Sequence, residues 1–321
     1  MSYLPQHRVF FLVPPQVHLL DVSGPIHLFY EARAYGANLE LRFLRMHNQE
    51  ELRSSAGLFL AQLESYQKYS LGATDILFVP GIESLLLHDD LFREESAPFY
   101  RWLQDQQGGG AKICSVCTGA YLLAQAGILN GRSCTTHWKY LEDFKERFPQ
   151  VTLLQDRLFV KDGTTYSSAG VASGIDLSLY ILEELYGTSF AIQIAREVVV
   201  YLRRGDDDPQ LSVFLQYRNH LENRVHQAQD FLSQHLEKPI SIERLGEVVN
   251  MSSRNLTRLF KKTTGITIGQ YTDQLRVERA VQLLSEGYKV ETVSQMCGLK
   301  SPNQLRTILK KYKRVLPSDL S

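Results

Sequence analysis

Four short runs in the first part of the chain are rich in β-branched and aromatic residues: RVFFLV (Arg8 to Val13), LELRFL (Leu39 to Leu44), DILFVP (Asp75 to Pro80) and KICSV (Lys112 to Val116). Such runs predict buried strands. Between them the apolar positions recur at helical spacing. One helix is predicted from Pro25 to about Tyr35, with Pro25 suited to a first turn, and another from about Ser96 to Gln107, stopped by Gly108-Gly109-Gly110. GIDLSLYILEELYG adds a helix from about Gly174 to Tyr186. Strand and helix alternate, which predicts an α/β sandwich around a mostly parallel sheet.

After about Val200 the pattern changes. RRGDDDPQ (Arg203 to Gln210) is charged, polar and proline-bearing, and so marks a boundary or exposed loop; beyond it only helical spacing remains. Ser241 stands at an N-cap position before Leu245, Val248 and Val249, and a turn at Asn250-Met251 leads to a second cap, Ser252. The following helix, SRNLTRLFKKTTG, turns Leu256, Leu259 and Phe260 to one face and Arg254, Asn255, Thr257, Arg258, Lys261 and Lys262 to the other. The pattern recurs in VETVSQMCGLKSPNQLRTILKKY (Val290 to Tyr312). There Leu305, Ile308 and Leu309 point inward, and Asn303, Gln304, Arg306, Thr307, Lys310 and Lys311 stay outside. LRVERAVQLL (Leu275 to Leu284) is the predicted connecting helix. Two tight helix pairs, each second helix apolar inward and basic outward, have the form of two major-groove readers. A helical protein-interaction bundle with basic faces is the competing reading.

Charge sharpens this picture. The 321 residues carry 35 basic and 35 acidic side chains, yet from Arg224 onward there are 16 Lys/Arg against 9 Asp/Glu. A basic tail module behind an acidic body fits a polyanionic partner. With 44% hydrophobic residues there is material for a core in each of two domains. No basic-flanked apolar leader and no run long enough to span a bilayer is evident, so a soluble cytoplasmic protein is expected. The four cysteines, Cys114, Cys117, Cys134 and Cys297, are too few for a disulfide scaffold, and none lies at zinc-ligand spacing, so no metal and no cofactor are expected.

The chemistry-bearing stretch is Ser115-Val116-Cys117-Thr118-Gly119, a small-x-nucleophile-x-Gly run where a strand gives way to a helix (Ala120 to Ala126, stopped by Gly127). That is the pattern of a nucleophile elbow. A thiol at a helix N-terminus is expected to be biased toward thiolate, with the Thr118 amide as an oxyanion donor. Burial as a small hydrophobe, or a redox pair with Cys114, are the alternatives; strand alternation puts Cys114 in the sheet core and Cys117 on the turn.

SVCTGAYLLAQAGILNGRSCTTHW (Ser115 to Trp138) with SSAGVASGIDLSLYIL (Ser167 to Leu182) resembles the ThiJ/PfpI superfamily, the glutamine-amidotransferase-like α/β fold, in the branch fused to AraC-type DNA-binding domains. MSSRNLTRLFKKTTGITIGQYTDQLR (Met251 to Arg276) resembles the first AraC-family unit and its connecting helix. The resemblance implies a flavodoxin-like sensor domain over residues 1–200, a linker over 201–223 and a DNA-binding domain with two helix-turn-helix motifs over 224–321. It implies Cys117 as the elbow position, His137 as the nearby imidazole and Asp21 as the carboxylate beside the thiol. Asp21 is alternatively a cap for the helix near Pro25, and His137 a structural histidine. Cys117, Thr118, Asp21 and His137 would line a ligand site whose catalytic role is vestigial. Arg254, Thr257 and Arg258 would read bases, Lys261 and Lys262 would meet phosphates, and Ser253 and Asn255 would belong to the same DNA-binding surface. In the second unit Leu299 replaces the usual aromatic, Thr307 stands where Arg is common, and Lys313-Arg314 replaces a typical Phe-Gly. The expected protein is a homodimeric regulator that binds double-stranded DNA and a small, nitrogenous effector and contacts RNA polymerase. The rival is a cysteine-dependent hydrolase or amidase using Cys117, His137 and Asp21. Redox sensing through Cys117 is a third class.

Overall fold

A computed structural model describes residues 6–155, 157–170, 172–200, 213–218 and 220–320. They divide between two compact units, Met1–Gln210 and Leu211–Ser321. The charged stretch Arg203 to Gln210, read as a boundary, lies outside the described residues. So do positions 201–212 of the expected linker, whereas Val213 and Tyr217 pack on the core of the second unit.

In the first unit the apolar runs become strands β1 (His7–Val13), β2 (Leu39–Arg45), β3 (Glu64–Ser65), β4 (Ile76–Val79), β5 (Lys112–Val116), β6 (Phe159–Asp162) and β7 (Thr165–Ser168). They form one sheet in the order β6-β7-β5-β4-β1-β2-β3, and every neighbouring pair is parallel except β6 with β7. A parallel sheet is covered on both faces, which is why its strands read as nearly unbroken apolar runs. Alternation along β1 and β4 sorts the side chains: Phe10, Leu12, Leu77 and Val79 enter one core, and Val9, Phe11, Ile76 and Phe78 the other. Phe11 stacks on Phe78 at 5.4 Å and on Phe43 at 6.0 Å and meets the Phe29 edge at 6.1 Å. Each such buried ring contributes about 1.5–3 kcal/mol by leaving water.

The covering helices include α1 (Leu19–Ala34), α2 (Ala97–Asp105), α3 (Gly119–Gln125), α4 (Ser173–Tyr186) and α5 (Thr188–Glu197). The first differs from the sequence expectation. It begins at Leu19, six positions before Pro25, which is an interior residue of the helix. Proline has no N–H to give to the carbonyl four residues back, that of Asp21, so the second turn of α1 forgoes one intrahelical bond there. Asp21 is therefore a first-turn residue; the cap position is His18, and the capping alternative for Asp21 is set aside.

The second unit is all-α. It contains α6 (Asn223–Gln234), α7 (Ile242–Val248), α8 (Ser253–Thr264), α9 (Ile268–Ser285), α10 (Val290–Met296) and α11 (Pro302–Lys313). The predicted caps hold: the Ser241 hydroxyl accepts the Arg244 amide and Ser252 accepts that of Asn255; Ser301, not singled out from the sequence, likewise accepts that of Gln304. The connector is longer than Leu275 to Leu284 suggested. It opens at Ile268 with a capping box between Thr267 and Gln270. Its first half, through Ile268, Tyr271 and Leu275, belongs to the core of the first helix pair; its second half, through Val277, Ala280, Leu283 and Leu284, belongs to that of the second. One helix thus threads both halves. A second tie is Gly298 in the turn of the second pair: a Cβ there would stand 2.2 Å from the Leu236 carbonyl oxygen, so the two halves touch backbone to backbone. Gly298→Ala is expected to lower the melting temperature of this unit by several degrees, about 1–3 kcal/mol, measured by calorimetry against the parent chain.

Candidate functional site

The loops that leave the carboxyl ends of the parallel strands converge in the first unit, the usual place for a site in an α/β sheet. β1 leads to His18 and Asp21, β4 to Gly81 and Ile82, β5 to Cys117 and Thr118, and β7 to Gly170. An isolated bridge between Val17 and Ile82 and the bond from the His18 amide to the Gly81 carbonyl (2.9 Å) hold the first two loops together.

Cys117 has φ 57°, the left-handed strained conformation that an elbow imposes on its nucleophile position. Its amide donates to the Ser168 carbonyl (3.0 Å) and its carbonyl accepts from the Thr136 hydroxyl (3.0 Å), so the strained residue is fixed at both ends. The turn fits only because its neighbours are small. A Cβ on Gly119 would stand 2.1 Å from the Val79 carbonyl oxygen, and one on Gly174 would stand 2.9 Å from a Val116 methyl. Thr118 is locked by a reciprocal pair with Ile82: its hydroxyl donates to the carbonyl (3.1 Å) and accepts from the amide (3.0 Å).

Asp21 is 1% exposed. Its Oδ2 accepts the Gly81 amide at 3.1 Å and lies 3.6 Å from His18 Nδ1, while Oδ1 is buried with no N–H or O–H partner among the described residues. Gly81 was not singled out from the sequence, although VPGIE at a strand end is the signal. A Cβ there would meet Asp21 Oδ2 at 2.4 Å and the Thr118 hydroxyl at 2.7 Å. His18 was also missed: one ligand atom each of His18, Asp21 and Cys117 lie within 4.8 Å of one another. His137 is not in that group. Its ring packs over Gly170, its Nδ1 accepts the Lys139 amide (3.3 Å), and it sits beside the rings of Trp138 and Tyr140 at 5.5 and 5.7 Å.

The electrostatics differ from the expectation of a thiolate. Burial first, and then the Asp21 carboxylate, push the Cys117 thiol well above its ordinary value, against the smaller opposing pull of the Thr118 amide and hydroxyl. The dipole of the short α3 does not offset the removal of a charge from water. His18 is shifted upward because its ring bonds the Asp21 carboxylate, and His137 downward by burial. All four cysteines are buried and free, so the structure holds no Cys114–Cys117 bridge. Iodoacetamide at neutral pH is accordingly expected to label Cys117 at least about tenfold more slowly in the native chain than in urea, and the native rate should keep climbing beyond pH about 8.5. Prompt stoichiometric alkylation at pH 7, read by peptide mass spectrometry, would contradict this.

In the second unit Arg254, Asn255, Arg258, Lys261 and Lys262 are exposed along α8, with Ser253 and Thr257 half-buried at its inner edge. No carboxylate partner is found for Arg254, Arg258, Lys261 or Lys262 among the described residues. The Thr257 hydroxyl donates to the Ser253 carbonyl (2.8 Å). On α11, Arg306, Thr307 and Lys310 are exposed, but several polar groups are engaged locally: Arg306 donates to Asn303 Oδ1 (2.9 Å), Thr307 to the Asn303 carbonyl (2.9 Å), and Gln304 Oε1 accepts the Lys300 amide (3.0 Å).

A mostly parallel sandwich with an elbow cysteine and an adjacent buried carboxylate, followed by two helix-turn-helix pairs on one connecting helix, defines the class: an amidotransferase-like α/β domain joined to a helix-turn-helix unit. Residues 7–184 match the DJ-1/PfpI family, and the chain belongs to it. Residues 245–321 match a helix-turn-helix domain. The HTH-type transcriptional regulator CdhR of Pseudomonas aeruginosa is 32% identical over 233 residues, a match covering 71% of this chain and 66% of that regulator, so this chain spans just under two thirds of the regulator's length. Isonitrile hydratase of Pseudomonas putida is 30% identical over 57% of this chain and 74% of its own length. A crystal structure of a ThiJ/PfpI family protein from Pseudomonas syringae shares the fold with TM-score 0.54 at 19% identity, covering 78% of this chain and 93% of that one. Among the described residues no helix is long and apolar enough to cross a membrane.

Proposed function

We propose that the chain is a one-component transcriptional regulator: the helical unit reads double-stranded DNA and the α/β unit binds a small effector in the Cys117 site. The observation that carries this reading is the pair of capped helix-turn-helix motifs built on the single rod α9, with unpaired cations along α8. Arg254, Asn255 and Arg258 face base edges, with the Thr257 methyl suited to thymine, while Lys261 and Lys262 take phosphates. Asn303, Gln304, Arg306, Thr307 and Lys310 form a second, weaker reader, because Arg306 is bonded to Asn303 and the Gln304 and Thr307 side chains are bonded to nearby backbone. The similarity to CdhR supports the regulator reading. A homodimer suits paired half-sites, and RNA polymerase is the partner through which bound regulator would act. The effector is a small, nitrogenous metabolite held between Cys117, Thr118, Asp21 and His137. Its binding shifts the balance between DNA-competent states.

The test is selection of genomic fragments by the purified chain, followed by gel shift with random competitor and a thermal-shift screen of metabolites. Enrichment of a common sequence, with affinity altered by a stabilising metabolite, is expected. Binding no better than to competitor DNA at moderate salt overturns the reading. A second reading, cysteine-dependent hydrolysis or hydration, is favoured by the elbow geometry of Cys117 and the similarity to isonitrile hydratase. Against it, the thiol is held protonated and the imidazole His137 is bonded elsewhere.

A further inference from the structure

The three side chains that meet at the elbow differ in donor chemistry: an imidazole nitrogen, a carboxylate oxygen and a sulfur. We propose that His18, Asp21 and Cys117 bind a thiophilic divalent cation of the zinc class. Ligand atoms of all three lie within 4.8 Å of one another, and the His18 Nδ1 to Asp21 Oδ2 distance is 3.6 Å. A tetrahedral zinc ion with bonds of roughly 2.0–2.3 Å sets its ligand atoms about 3.3–3.7 Å apart. The nitrogen and oxygen are already at that spacing, and the sulfur reaches it by a movement of about 1 Å.

A His–Asp ion pair with a thiol on the same carboxylate is the simplest alternative, and it leaves three ligand-type groups turned toward one another. Asp21 is 1% exposed and its Oδ1 accepts no N–H or O–H bond among the described residues, which leaves the Cys117 thiol as the group beside that carboxylate. A cation satisfies that carboxylate, the imidazole and the sulfur together. The mixed nitrogen, oxygen and sulfur donor set selects zinc-like ions over magnesium and calcium, which require oxygen-rich shells. The Gly81 amide, donating to Oδ2 at 3.1 Å, fixes the carboxylate in the way outer-shell donors orient ligands. Gly81 can have no side chain without striking Asp21. The His18 side chain is 28% exposed, which gives the ion access from solvent. On binding, the sulfur–metal bond replaces the sulfur–hydrogen bond and the proton leaves to solvent, so the ion keeps its charge of two and no electrons are transferred. Three protein ligands leave a fourth position for water or a small ligand. Cys117 stands nearly a hundred positions along the chain from His18 and Asp21, so no cysteine–histidine spacing shows, which is why the sequence predicted no metal.

The proposal concerns the α/β unit alone and is independent of DNA binding. Its test is a cobalt(II) titration of the untagged, metal-free full chain, followed by zinc. Expected are the strong visible bands of tetrahedral cobalt and a near-ultraviolet sulfur-to-cobalt band, saturating at about one ion per chain and bleached by zinc. The sulfur band should vanish in Cys117→Ser. In Asp21→Asn and His18→Ala, checked for folding by thermal melts, cobalt should bind at least about tenfold more weakly. No sulfur band at saturating cobalt in the parent chain, or a band that survives Cys117→Ser, overturns the proposal. If Cys117→Ser fails to fold, unchanged cobalt affinity in folded His18→Ala overturns it equally.

Discussion

Replacing both Arg254 and Arg258 with alanine is expected to weaken binding to the selected DNA by about 100-fold while leaving affinity for random competitor within a few fold, because each guanidinium lost from a base edge removes about 1–3 kcal/mol of discrimination. Both side chains are exposed on α8, so the protein should fold as before. Replacing Lys261 and Lys262 should behave differently. It should weaken specific and non-specific binding together and flatten the dependence of log affinity on log salt by about 1–2. Fluorescence anisotropy on the two pairs of variants across a salt series separates the roles. Equal loss of specific and competitor binding in the arginine pair would make α8 a phosphate-contacting surface and not a reader.

Gly119→Ala is expected to be the most damaging single substitution in the α/β unit. The new methyl would stand 2.1 Å from the Val79 carbonyl oxygen and 2.9 Å from that of Pro80, and backbone at the centre of the sheet cannot turn away as a flexible side chain can. A destabilisation of about 3 kcal/mol or more follows, roughly 10 °C in the melting temperature of that unit. Differential scanning calorimetry should show the α/β transition moved and the helical transition little changed. A parent-like melting profile would mean that the elbow has room the geometry denies it. The same argument makes Gly81→Ala a probe of the site with less effect on the core, since its Cβ would strike the Asp21 carboxylate and the Thr118 hydroxyl.

Much of this was legible along the chain, where the cause of a structure is local. β1, β2, β4 and β5 coincide with the predicted apolar runs to within a residue or so, because a strand buried on both faces needs a run of large apolar side chains whatever lies around it. The caps at Ser241 and Ser252 were readable because a cap is a bond between residues three apart. The left-handed Cys117 followed from the small residues on either side of it. The start of α1 was not readable from Pro25, since in the sequence a proline in the second turn reads the same as one in the first.

The sequence by itself determined that a mostly parallel α/β unit precedes a basic helical one, and that a cysteine sits on its elbow; periodicity, charge and the sizes of adjacent residues are enough for that. Tertiary structure decided what the cysteine is. Burial and a carboxylate arriving from nearly a hundred residues away keep it a thiol, reversing the bias a helix end would give alone. Tertiary structure also brought His18, which the sequence reading did not single out, beside Asp21 and Cys117, because which loops meet at the ends of parallel strands depends on strand order, and strand order is a property of the whole sheet.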